Sequence, residues 1–358
     1  MSLAFSETQT GAEAFAGQIM DVISSGAVAV MISIGHRTGL FDTLAAMPPA
    51  TSAAIAEAAE LNERYVREWL AVMVTGRIVT YDPWRRTYEL PAEHAACLTR
   101  DAALGNLAVF GQHIALMGRI EDDIIEHFED GAGTTYGDYP HFHQIMAEDS
   151  GQTVTPQLFD TILPLAEGII DRLEAGIDVL DAGCGRGEAL IAMAERFPNS
   201  RFVGYDFEEE AIAFANDAVA AAGLTNIRLQ TRDLSGYEEK DRFDFITTFD
   251  AVHDQKDPES FVAGLFGALR PGGAYLMQDI GGSAHLENNL DFPMAPLLYA
   301  VSCSHCMAVS LGQGGAGLGT MWGWETAEEF LRKAGFTEIK RNVLPHDPMN
   351  VWFVSRKD

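Results

Sequence analysis

The chain has 358 residues, 47% of them hydrophobic, and carries a formal net charge of −28. That length suits two globular domains, and so acidic a surface repels nucleic acid. Its four cysteines, Cys97, Cys184, Cys303 and Cys306, are too few for a disulfide framework.

Taken in chain order, Glu13 to Ala45 is helical in pattern, with a break at Gly35–Gly39. Val22 to Ile34 is apolar, but Ser24, Ser25 and Gly26 interrupt it and no basic leader precedes it. It is read as neither signal peptide nor membrane span, so a cytoplasmic protein with no membrane partner is expected. Thr51 and Ser52 are caps for an alanine-rich helix over Ala50–Ala59. Asn62 caps a second helix, Glu63–Thr75, whose Tyr65, Val66, Trp69, Leu70 and Met73 share a face. Ile78–Tyr81 and Thr87–Leu90, around Asp82-Pro83-Trp84, read as a two-stranded wing. Helices followed by a wing make a winged helix, a fold that often binds DNA. Here residues 1–100 hold seven arginines against eleven carboxylates, a net of −4. A DNA-reading face is basic, so a core or dimer role is favoured and nucleic acid is not an expected partner.

Residues 101–175 are mostly helical in pattern, interrupted at Gly131–Pro140, and are expected to link the domains and roof a site. From 176 to 358 strands and helices alternate. The predicted strands are Asp178–Asp181, Arg201–Tyr205, Ile227–Gln230, Phe243–Phe249, Ala274–Asp279, Glu338–Val343 and Asn350–Ser355, the last two forming a hairpin. An insertion, 281–322, follows the fifth strand. The expected organisation is thus 1–100, 101–175 and 176–358, α/β in class.

The stretch Ile177–Asp206 carries the chemistry. It is strand, glycine turn, helix and strand, a βαβ unit of about thirty residues. Gly183, Gly185 and Gly187 permit a sharp turn and close approach of a ligand. The turn opens a helix N-terminus with free N–H groups. Asp206, ending the next strand with Phe207 beside it, is placed to accept both hydroxyls of a ribose. Asp181 leads the loop; a carboxylate there repels a pyrophosphate and suits an ammonium. A ligand with a ribose, an adenine, an ammonium and no phosphate is S-adenosylmethionine (SAM).

This segment resembles the first motif of class I SAM-dependent methyltransferases. The resemblance implies a Rossmann-like seven-stranded domain, with SAM as cofactor and S-adenosylhomocysteine as product. It also implies that Asp233 bonds the adenine amine and that Leu234 lies against the ring. Phe249 and Asp250, at the end of the fourth strand, complete the cofactor set. Asp250-Ala251-Val252-His253-Asp254-Gln255 resembles the His-Asp-Trp segment of small-molecule O-methyltransferases, with Gln255 in place of Trp; there the His is the base, so His253 is the candidate base and also touches the acceptor. Tyr139–Ser150 is similar to those enzymes' substrate helix, implying that Phe142 and Met146 line the acceptor pocket and that Ser150 nears the SAM carboxylate. Trp322 is read as closing over substrate after the glycine-rich stretch Gly312–Gly319.

Cys303-Ser304-His305-Cys306 is a lone C-x-x-C without a second pair, so no metal is expected; the thiols are read as lining an apolar lid, with a soft-metal or metalloid acceptor as the alternative. Thr326 is read as capping a helix over Ala327–Ala334. Taken whole, the chain resembles bacterial and metazoan methyltransferases with an N-terminal winged helix, some of them labelled transcriptional regulators. That implies a homodimer and a small, rather apolar acceptor, with O-methylation favoured over N or S. A SAM-sensing transcriptional regulator is the alternative.

Overall fold

The computed structural model describes residues 11–102 and 105–358; the side chain of Ser150 also lies outside the described residues. The chain divides into two compact units, 1–118 and 119–358.

In the first unit, α1 (Gly11–Arg37), α2 (Leu40–Ala45), α3 (Ser52–Ala58) and α4 (Glu63–Thr75) precede a hairpin of β1 (Thr80–Asp82) and β2 (Thr87–Glu89), then α5 (Ala92–Leu98). The caps explain the helix starts: Thr51 accepts from the Ala54 N–H and Asn62 from the Arg64 N–H. Asp82 tightens the wing turn by accepting from the Trp84 and Arg85 amides at 2.8 and 3.1 Å. Trp69 anchors the core. It meets Phe41 edge-on at 5.2 Å and donates from its indole to the Met31 carbonyl at 2.8 Å. Gly35 is required beneath it, since a Cβ there would sit 2.5 Å from the ring. On α4, Arg64 pairs with Glu68 and Arg67 with Glu63.

The first compact unit runs past residue 100 to Gly118. Helix α6 (Phe110–Asp130) crosses that point. Its first turns pack on α1: a Cβ at Gly111 would lie 3.0 Å from the Ala29 carbonyl, and Asn106 bonds His36 at 3.2 Å. Residues 119–175 fold with the second unit.

There α7 (Phe142–Thr153) and α8 (Ile169–Ala175) precede a seven-stranded sheet. Its strands are β3 (Asp178–Ala182), β4 (Arg201–Asp206), β5 (Ile227–Thr231), β6 (Phe243–Phe249), β7 (Leu269–Ile280), β8 (Glu338–Leu344) and β9 (Asp347–Arg356), in the order β5-β4-β3-β6-β7-β9-β8. β3 to β7 pair in parallel, while β9 runs antiparallel to both β7 and β8. Helices α9 (Glu188–Arg196), α10 (Glu209–Ala222) and α11 (Pro258–Ala268) cross between parallel strands. The inner strands are apolar runs because both faces are covered, by clusters around Leu190, Phe202 and Trp352 on one side and Tyr205, Phe261 and Phe353 on the other.

Within the insertion, α12 (Ala295–Val301), a π-helical turn (Ser302–Cys306) and α13 (Met307–Gly312) form one continuous helix. The strap Gly131–Pro140 lies directly on it. The Thr134 amide donates to Ala308 O at 3.0 Å, and the Tyr139 hydroxyl donates to Ser304 O at 2.6 Å. α14 (Trp324–Ala334) starts two residues before Thr326, whose hydroxyl instead donates back to Trp322 O; Gly323 occupies the N-cap. By length and composition α1 and the Ala295–Gly312 helix are each apolar enough to cross a membrane, a test that core helices of globular proteins also pass; 44% of the second is buried in its unit.

Candidate active site

Open parallel sheets present ligands at the carboxyl ends of their strands, where order reverses. Here that point lies between β3 and β6, and the candidate residues gather around it. The glycine loop after β3 is pinned by its neighbour strand: the Gly183 and Cys184 amides both donate to Tyr205 O, at 2.8 and 3.1 Å. Gly183 has φ +79°, and a Cβ there would lie 2.5 Å from that of Ala251. Gly185 also has positive φ, but its missing side chain points into open space. The first glycine serves packing; the second leaves room for a ligand.

Asp206 closes the loop from the next strand. One carboxylate oxygen accepts from the Gly185 amide at 2.8 Å and the other from the Glu208 amide at 3.0 Å. These bonds fix the carboxylate while leaving lone pairs for a diol. Asp181 is buried at the end of β3 and accepts from the Thr247 hydroxyl at 2.8 Å. Burial pushes its carboxyl up to about 7, against the lowering effect of Thr247 and with a small push from Asp206. Phe207 is partly exposed, its ring 5.1 Å from that of Tyr136.

Asp233 accepts from the Ser235 amide at 2.8 Å, which shapes its turn. Leu234 is buried in the core with Tyr205 and Tyr237. Phe249 packs near Trp352 at 6.1 Å. Asp250 adopts φ +53°, uncommon for a residue with a side chain, and its Oδ1 is buried without a hydrogen-bond partner. Burial raises its carboxyl to about 7.

His253 is 1% exposed. Its Nδ1 lies 2.8 Å from Asp279 Oδ1, and its Nε2 lies 3.1 Å from Asp254 Oδ1. Burial alone would lower its pKa, but Asp279 and Asp254 outweigh burial and raise it well above the usual value. Asp254 is correspondingly held down to about 2, burial notwithstanding, chiefly by His253. Asp279 Oδ1 is a hub: it also accepts from the Trp322 indole at 3.0 Å and the Ile280 amide at 2.8 Å. Trp322 is buried, and its indole steadies Asp279.

Phe142 is buried and stacks on His305 at 3.9 Å, with Tyr136 5.6 Å away. Met146 is half-buried on the same helix, and Ser150 lies outside the described residues. The Tyr136 hydroxyl donates to Asp254 Oδ2 at 3.3 Å, joining this aromatic group to the His253 cluster.

Residues 173–335 match the family model of a methyltransferase domain, and residues 26–100 match that of the Rv2258c-like winged HTH domain. The chain carries a methyltransferase domain behind a winged helix. The chain is 30% identical over 135 residues to trans-aconitate 2-methyltransferase of Variovorax paradoxus, covering 37% of this chain and 48% of that protein. Ubiquinone biosynthesis O-methyltransferase of Pseudomonas fluorescens is 31% identical over 107 residues, 30% of this chain and 45% of that one. The chain thus spans about half the length of the curated relatives it matches. Solved structures share the whole fold at low identity. Human N-acetylserotonin methyltransferase in complex with SAM superposes with TM-score 0.65 at 16% identity, covering 99% of each chain. An O-methyltransferase family protein from Burkholderia thailandensis gives 0.67 at 16%, covering 98% of this chain and 99% of that one.

In the methyltransferase domain, sequence reasoning missed Tyr136, Asp254, Asp279, His305 and Cys306 as members of one cluster. Two signals were present. Asp254 adjoins His253, and Asp279 follows the apolar run Ala274–Met277 near the end of a buried strand, where a charge needs a partner.

Proposed function

We propose that the protein is a SAM-dependent methyltransferase acting on a small-molecule acceptor, with a hydroxyl favoured, and that it works as a cytoplasmic homodimer. The observation that carries the proposal is the open space at Gly185, whose amide is bonded to the Asp206 carboxylate, on the loop that the buried Asp181 leads. A loop open at its central glycine, with two acids and no basic side chain other than Arg186, fits a ribose and an ammonium better than a pyrophosphate. The O-methyltransferase names among the relatives support the choice of oxygen. The four cysteines are free, in keeping with a reducing compartment. Phe15, Ile19, Val22 and Ile23 are exposed along one face of α1, a surface suited to a second copy.

SAM supplies a methyl group already activated on sulfonium. The protein's part is then to bind, to orient and to exclude water. Asp206 holds the ribose, Asp181 and Asp250 face the cationic portion, and Phe142, Met146 and the neighbouring aromatics hold the acceptor. Asp279 fixes His253 through Nδ1 and Asp254 pairs with its Nε2, so His253 takes an acceptor proton only where the acceptor displaces Asp254 from that nitrogen. His253→Ala is expected to keep SAM affinity within about threefold and to lower turnover by about 10²- to 10⁴-fold. Unchanged turnover on the true acceptor would show that His253 is no base.

The raised carboxyl of Asp181 gives a pH dependence. Its folded value, about 7, exceeds the ordinary 3.8, so the folded protein binds more protons between those limits. Stability of the unliganded protein should therefore fall as pH rises across that window. A cationic ligand favours the ionised form, so SAM affinity should rise over the same range. Asp250 titrates nearby, also about 7, so Asp181→Asn should remove only part of the affinity slope. Calorimetric affinities from pH 5.5 to 8, on the order of one unit either side of the shifted value, read this directly; equal slopes in the two proteins would contradict the role of Asp181.

A further inference from the structure

We infer that His253, Asp254 and Cys306 form a binding site for a thiophilic divalent cation of the zinc type. Their ligating atoms, an imidazole nitrogen, a carboxylate oxygen and a thiol sulfur, all lie within 4.8 Å of one another. Three side chains from two distant segments, the β6 end and the insertion helix, are brought to one point. The donor set of nitrogen, sulfur and oxygen selects zinc or a similar transition ion over magnesium or calcium.

The surroundings fit a metal better than a hydrogen-bond network. Asp279 takes the Nδ1 proton of His253 at 2.8 Å and thereby turns Nε2 toward Asp254 and Cys306. A carboxylate behind a histidine is the usual support of a metal-bound imidazole. The Asp254 oxygen that faces Nε2 is buried, with that nitrogen 3.1 Å away as its ion-pair partner. Asp279 Oδ2 and Asp250 Oδ1 are buried with no hydrogen-bond partner. Three carboxylates around one imidazole leave the cluster negative even when that imidazole is protonated. Cys306 ends a π-helical turn in an otherwise α-helical segment, and such turns collect at functional sites. His253 and Cys306 are 1% and 6% exposed, so the cation would be shielded from bulk water.

Three protein ligands leave a fourth position for an exogenous oxygen or sulfur ligand. A hydroxyl or thiol acceptor bound there would lose its proton more readily. That last step alone rests on the methyltransferase proposal; with the cation bound, it replaces His253 as the group that promotes loss of the acceptor's proton, so His253→Ala lowers turnover on either account.

Cobalt substitution tests the site without any assay of methyl transfer. Purified full-length protein, stripped with chelator and titrated with Co(II), should bind one ion per chain and develop a thiolate-to-cobalt charge-transfer absorption. Cys306→Ala should abolish that absorption, while Cys303→Ala, outside the cluster, keeps it. Asp279→Asn should weaken Zn(II) binding about 10- to 100-fold by releasing the imidazole. Near-ultraviolet circular dichroism of each variant confirms folding. Absence of stoichiometric binding, or a charge-transfer band that survives Cys306→Ala, would overturn the proposal. SAM binding measured on the same stripped protein separates this failure from failure of the methyltransferase reading.

Discussion

Asp206→Ala is expected to weaken SAM binding by more than about 100-fold while leaving the sheet intact. The carboxylate sits at the end of β4 and is already oriented by the Gly185 and Glu208 amides. A charged acceptor bonded to two hydroxyls contributes about 1.5–3 kcal/mol per bond, so losing both accounts for that factor. The substitution also frees two backbone amides, at a cost of about 1–2 kcal/mol of stability. Asp206→Asn keeps one acceptor oxygen and should fall between alanine and wild type. Calorimetric titration with SAM, beside a thermal melt, separates the two effects. Wild-type affinity in Asp206→Ala would remove the ribose from this place.

Gly185→Leu should have an equally large effect on binding through a different cause. The residue has φ +51°, which costs a side chain about 1–2 kcal/mol, but a Cβ meets nothing within 4 Å. The variant should therefore fold, melt only slightly earlier, and fail to bind SAM because its side chain occupies the cradle. Gly183→Ala makes the contrast. There a Cβ would press on Ala251 at 2.5 Å, so the loss appears in stability as well. A Gly185→Leu protein that bound SAM normally would mean that the open space is not the ligand's.

The parallel sheet was legible because its signals are local. Apolar runs ended by Asp181 and Asp206 mark strands that finish at a site, and the glycines between them mark the turn. The wing was legible from Asp82 and the alternation around it, and the helix starts from Thr51 and Asn62. The helix at Trp324 was misplaced because its N-cap is Gly323, which has no capping side chain, whereas Thr326 offers one and uses it on Trp322 O. Trp322 was read as closing over substrate; its indole bond to Asp279 was not legible, because the two residues lie 43 apart in sequence. The first compact unit reaches past the winged helix because α6 runs through residue 118 with no break in pattern. The His253 cluster was only half legible. Asp254 is a neighbour in sequence, but Asp279, Tyr136 and Cys306 reach it through topology that no periodicity encodes.

The central claim is that the loop from Asp181 to Gly187, with Asp206, binds an adenosyl ligand that carries no phosphate. Isothermal titration of the purified chain with SAM, S-adenosylhomocysteine and NAD, each separately, tests it most directly. The expected result is one adenosyl ligand per chain at micromolar strength, with NAD silent. Binding of NAD alone, or of none of the three, would contradict it.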